Sequence, residues 1–95
     1  MSDGSQAQCR QAEIKNKRGL HARASAKFVK LAETFDAEIS VNKGCETVGG
    51  TSIMGLMMLA ASKGCSVEIC ATGPQATEAL DSLQALIDDR FGEGE

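Results

Sequence analysis

The sequence predicts an α+β fold, an open-faced β-sandwich of order βαββαβα in which a four-stranded antiparallel sheet carries three helices on one face. Three observations lead there. Short stretches, clearest at residues 37–41 and 65–71, alternate apolar and polar residues, as strands with one covered and one wet face do. Longer stretches repeat apolar residues at helical spacing instead. With 95 residues and no internal repeat, the chain has room for one domain around a single core.

Residues 1–8 are small and polar and read as a disordered extension, followed by a domain over 9–91 and a frayed acidic tail over 92–95. Residues 9–15 make a weak strand in which only Ala12 and Ile14 look buried. Residues 16–20 turn, and residues 22–35 form a helix whose apolar side runs through Phe28, Leu31, Ala32 and Phe35. Next come the strand at 37–41, a turn at 42–44 and a weaker strand at 45–49, together a hairpin. Gly49-Gly50 breaks extended structure, and Ser52 is a suitable N-cap for the apolar run 53–60, with Gly64 closing that short helix. The strand at 65–71 aims Val67, Ile69 and Ala71 at the core. After Gly73-Pro74, Ala76, Ala79, Leu80, Leu83, Leu86 and Ile87 trace one stripe of a final helix over 75–90.

Charge is divided along the chain. Residues 1–44 carry a net +3 and residues 45–95 a net −6. Between Lys15 and Lys30 there are six Lys or Arg and no Asp or Glu, in a chain whose overall charge is −3. Such a local reversal predicts an anion. The segment also holds the only histidine, His21, between the glycine turn and the first helix, at or near the N-cap. The first amides of a helix lack intrahelical partners and carry partial positive charge, so those of Ala22 and Arg23 should face whatever the imidazole holds. Arg23 adds a planar fork suited to phosphate oxygens. A neutral imidazole is a nucleophile near neutral pH, so one covalent phosphoryl group on His21 fits these surroundings.

Arg23, Lys27, Lys30 and Thr34 share a second, basic helix face contiguous with His21, suited to an acidic partner protein. The run holding Met54, Met57 and Met58 is too apolar for an exposed helix; Ile53 and Leu56 are expected inward and at least one methionine exposed, as an adaptable patch beside the site. The docking edge is expected to run through Leu20, Lys27, Lys30, Met54, Leu56 and Met57.

Other classes fall away. An acidic chain with 3% aromatic residues and no Trp or Tyr is not built for nucleic acid. No apolar run reaches the roughly 20 residues of a membrane span, and residues 1–8 lack the core of an export signal, so the cytoplasm is expected. Cys9, Cys45, Cys65 and Cys70 form no C-x-x-C pair and have no histidine at zinc spacing; they are expected to be reduced thiols, with neither metal nor cofactor.

Gly19-Leu20-His21-Ala22-Arg23 resembles the active-site motif of HPr, the histidine-containing phosphocarrier of the phosphoenolpyruvate-dependent phosphotransferase system. The resemblance covers Glu13 to about Phe91. It includes Thr51-Ser52-Ile53-Met54-Gly55-Leu56-Met57, similar to the regulatory serine segment of HPr proteins. Phe35-Asp36-Ala37-Glu38 and Ala71-Thr72-Gly73-Pro74-Gln75 are similar to the nitrogen-related branch, NPr. The resemblance implies a carrier, not an enzyme: His21 takes a phosphoryl group on Nδ1 from enzyme I and passes it to an enzyme IIA, Arg23 steadies its charge, and HPr kinase/phosphorylase modifies Ser52. One small domain with a docking face need not self-associate, so a monomer is expected, open to regulatory proteins as further partners. One departure is Ala24, where HPr proteins usually have proline; the helix start should survive with one more free N–H. The competing readings are a regulatory adaptor of the nitrogen-related branch and a small hydrolase resembling acylphosphatase, whose chemistry would not need His21.

Overall fold

A computed structural model describes residues 7–93. Its elements run β1 (Gln8–Glu13), α1 (Ala22–Ala32), β2 (Glu38–Lys43), β3 (Glu46–Gly49), α2 (Ile53–Met58), β4 (Ser66–Thr72) and α3 (Ala76–Asp88), closed by a 3₁₀ turn at Arg90–Gly92. The strands form one antiparallel sheet in the order β1-β4-β2-β3. This is the open-faced arrangement expected from the alternation.

The sheet has one covered face because its strands alternate. In β4, Val67, Ile69 and Ala71 are buried while Ser66 is exposed, and the partners of Ile69 across the sheet include Val41 of β2. Ala12 and Ile14 are buried as expected. Onto this covered face α3 packs Ala76, Ala79, Leu80, Leu83 and Ile87, and α1 packs Ala24, Phe28, Val29 and Ala32. Each large buried side chain contributes roughly 1.5–3 kcal/mol relative to exposure, so the core is what holds the helices to the sheet. Arg10, beside the core on the edge strand, is satisfied by an ion pair with Asp81 of α3.

Four expectations need correction. The first helix ends at Ala32, not Phe35: Thr34 and Phe35 donate to Leu31 and Ala32 in tighter i→i+3 turns, and the buried side centres on Ala24, Phe28 and Ala32, with Leu31 and Phe35 on its flank. Cys9 and Cys70 are not free thiols but a disulfide; they stand directly opposite in the β1–β4 register, which no local spacing reveals across 61 residues. Cys45 and Cys65 are free, and hydrogen bonding from the Ser62 side chain and backbone lowers the Cys65 thiol from its ordinary range. The first strand runs over Gln8–Glu13 rather than 9–15, and in the expected tail Gly92 belongs to the 3₁₀ turn and Glu93 packs against the site described next. Residues 1–6 and 94–95 of the expected extension and tail lie outside the described residues.

Candidate phosphoryl-acceptor site

Gly19 begins the site. Its φ of +67° lies in the left-handed region, and a Cβ there would fall 2.3 Å from the Ala61 carbonyl oxygen and 2.8 Å from Ser62 Cα. Only glycine fits. The tight approach lets the Leu20 N–H donate to that Ala61 oxygen at 2.9 Å, tying the loop before α1 to the segment after α2. Asn16, fully buried, donates from Nδ2 to the Gly19 carbonyl at 2.8 Å and closes the turn from within.

His21 follows as the N-cap of α1, with extended backbone (φ −76°, ψ −179°). Its carbonyl takes the Ser25 N–H at 2.9 Å, but its side chain makes no capping hydrogen bond. The ring therefore stays out of the helix start, half-buried, while the amides of the first turn remain without intrahelical partners. That turn contains Arg23 and no acidic residue. A cation at the positive end of a helix opposes the dipole by a few tenths of a kcal/mol, an arrangement that becomes favourable once an anion sits there. Ala24 is buried completely in the helix start, where its side chain packs into the core.

The tail completes the site. After α3, Arg90 and Phe91 adopt left-handed backbone (φ 56° and 54°) and turn the chain back toward α1. Phe91 is fully buried and its carbonyl accepts from Lys27 Nζ at 2.7 Å. Glu93 is thereby delivered to His21: one carboxylate oxygen meets His21 Nε2, and the other accepts from Asn16 Nδ2 at 3.1 Å. Burial pushes the Glu93 carboxyl upward, but the His21 and Asn16 hydrogen bonds and the nearby charges of His21 and Arg18 outweigh it, so the group lies below its ordinary value. A surface pocket lined by Arg18, His21, Arg23, Lys27, Gly92 and Glu93 results, three cations and one carboxylate around a single imidazole.

Of the residues singled out in the sequence, His21, Arg23 and Lys27 come together here, with Ala22 the first residue of α1 beside His21, although Lys27 spends its ammonium on the tail carbonyl. Asn16 and Glu93 were not singled out. Asn16 lay unremarked in the turn, and the signal for Glu93 was its neighbour Phe91, a lone large apolar residue in an acidic tail.

Ser52 is the N-cap of α2, and its Oγ accepts from the Gly55 N–H at 2.9 Å. Past it, Met54, Met57 and Met58 are exposed, and so is Ile53, against expectation: a helix of six residues buries only Leu56. Leu56 and Leu20 are core residues, 0% and 7% exposed, so neither belongs to a docking edge. Among the described residues, Cys9, Glu68 and Cys70 bring potential metal-ligand atoms within 4.8 Å of one another, but the two sulfurs are bonded to each other. No described helix is long and apolar enough to cross a membrane.

Residues 8–89 match the family model described as the PTS HPr component phosphorylation site. The chain is 53% identical over 83 residues to the phosphocarrier protein HPr of Neisseria meningitidis serogroup B, covering 87% of this chain and 93% of that one. It is 43% identical over 84 residues to the phosphocarrier protein NPr of Shewanella violacea, covering 88% and 92%. Among solved structures, HPr-C-His from Thermoanaerobacter tengcongensis superposes with a TM-score of 0.87 at 44% identity, covering 90% of this chain and 97% of that one. Fold and site thus define a phosphocarrier of the phosphotransferase system, a protein that carries a group between enzymes and is not itself an enzyme. Within that class, the chain belongs to the HPr family. The hydrolase reading is overturned with it.

Proposed function

We propose that His21 accepts a phosphoryl group on Nδ1 from the phosphohistidine of enzyme I and hands it to a histidine of an enzyme IIA. The observation that carries this reading is that Nε2 is engaged by Glu93 while the ring stands at the open N-terminus of α1. Nδ1 is then the remaining nitrogen. Arg23, with Arg18 beside it, offsets the charge of the phosphoryl oxygens, and the first-turn amides, including those of Ala22 and Arg23, donate to them. The partners supply the apparatus for in-line transfer.

Docking uses Lys30 at the basic face of α1 and the apolar surface of Ile53, Met54, Met57 and Met58, which supports partners of differing shape. Ser52 is the regulatory site for HPr kinase/phosphorylase. A phosphate there suits the helix start but sets negative charge and bulk beside the methionines. The protein acts as a monomer in the cytoplasm. Similarity to NPr as well as HPr supports a second reading, a nitrogen-branch adaptor that binds regulatory proteins according to the state of His21.

Incubation with phosphoenolpyruvate and enzyme I tests the carrier. One acid-labile, base-stable phosphate is expected, absent in His21→Ala; a phosphate that persists in that variant rejects the assignment. With ATP and HPr kinase/phosphorylase, an acid-stable phosphate lost in Ser52→Ala is expected.

A further inference from the structure

We infer that Glu93 is a positioning residue for phosphoryl acceptance: anchored by Asn16, its carboxylate takes the Nε2–H of His21 and so leaves Nδ1 as the nucleophile. This rests on the carrier reading and adds to it a residue from the far end of the chain.

A carboxylate only accepts hydrogen bonds, so a neutral His21 paired with it must carry its proton on Nε2. The lone pair is then on Nδ1. The pairing is a built arrangement. Phe91, buried completely, and the Lys27 bond to its carbonyl fix the tail 72 residues away from His21 in sequence. Asn16 spans the Gly19 carbonyl and the second Glu93 oxygen, while its own Oδ1 is buried without a partner among the described residues. A buried amide with an unmet acceptor costs stability, so its retention is better explained by what Nδ2 holds.

Charge accounts for a second effect. The other ionisable groups at the pocket, Arg18, Arg23 and Lys27, are all cations. They suit the incoming phosphoryl oxygens but oppose positive charge on the ring. When Nδ1 bonds to phosphorus, its lone pair is spent, the Nε2 proton stays, and the ring becomes cationic. Glu93 is the group placed to offset that developing charge.

Phosphoramidate, a small donor needing no protein partner, gives the test. Nδ1 attacks phosphorus, the P–N bond of the donor breaks, and ammonia leaves, so protons and charge balance without a further reactant. Phosphorus NMR separates the Nδ1 and Nε2 products in wild type, Glu93→Ala and Glu93→Gln, each first shown by urea unfolding to be folded. Wild type should react at Nδ1. Glu93→Ala should yield a substantial Nε2 product, and with enzyme I should lose roughly 10- to 100-fold in kcat with little change in KM, since a charge-assisted hydrogen bond is removed. Glu93→Gln, whose amide oxygen still accepts from Nε2, should keep the Nδ1 product but not the rate. Unchanged regiochemistry and rate in Glu93→Ala would overturn the inference, as would a faster reaction, which would make the carboxylate an obstruction. If no form acquires phosphate on His21, the carrier reading itself fails.

Discussion

The starts of α1 and α2 solve one problem in opposite ways. Both N-caps have extended backbone, with φ −76° at His21 and −111° at Ser52. Ser52 turns its side chain inward and satisfies the Gly55 amide three residues on. His21 gives its helix only a carbonyl, and its ring is held by Glu93, 72 residues away. A side chain that caps its own helix is committed to that bond, whereas one released from capping can do chemistry but needs a scaffold brought from elsewhere. At α1 the scaffold is Gly19 against Ala61, Asn16 within the turn, and the tail behind Phe91. The two starts should therefore break differently, the first from a distance and the second from within.

Gly19→Ala should show this most strongly. The new methyl would meet the Ala61 oxygen at 2.3 Å on a left-handed backbone, so a loss of about 3 kcal/mol in urea unfolding is expected, together with loss of the His21–Glu93 contact in the NMR spectrum. Gly44→Ala is the control. Its φ is +61° but nothing lies within 4 Å of the added carbon, so about 1 kcal/mol is expected and the site should be untouched. Equal losses would mean that Gly19 matters for backbone conformation alone.

The same contrast decides what could be read from the chain. The α2 cap was legible because Ser52, its apolar run and its amide partner lie within a few residues. The sheet's core face and the stripe of α3 were legible because alternation and helical spacing are local patterns; Val67, Ile69, Leu80 and Leu83 are buried accordingly. His21 and Arg23 were reachable through local charge and a short motif. What escaped depends on distant pairing. Cys9 meets Cys70 only through the strand register, and Glu93 meets His21 only because two left-handed residues reverse the chain. Leu56 was assigned to both the interior and the docking edge, since one short helix offers too few turns to fix which side faces the core.

Ser52→Ala sharpens the other half. Removing a serine N-cap costs about 1 kcal/mol, so a modest fall in the urea midpoint is expected, with amide exchange at Gly55 accelerated. Phosphoryl acceptance by His21 from phosphoramidate should keep its wild-type rate, because no atom of Ser52 supports the imidazole. A parallel drop in that rate would show the two helix starts to be coupled and would end the contrast.

Acid should separate them most gently. Glu93 titrates below its ordinary value in the folded protein, so between that value and the usual carboxylate pKa of about 4.3 the unfolded chain binds the extra proton and the folded chain does not. The stabilisation from this carboxylate is thus complete above the unfolded pKa and is lost as pH falls through the folded one. In that window the stability difference between wild type and Glu93→Gln should shrink steadily, and the His21 ring signals should follow the Glu93 carboxyl. The Gly55 amide should stay still through the same range, since its acceptor is a hydroxyl and the first turn of α2 holds no acidic residue. An inflection for Glu93 at or above the ordinary value would mean that burial outweighs its two hydrogen bonds. The α1 start would then be held by Gly19 and Asn16 alone, and the tail would be only a neighbour.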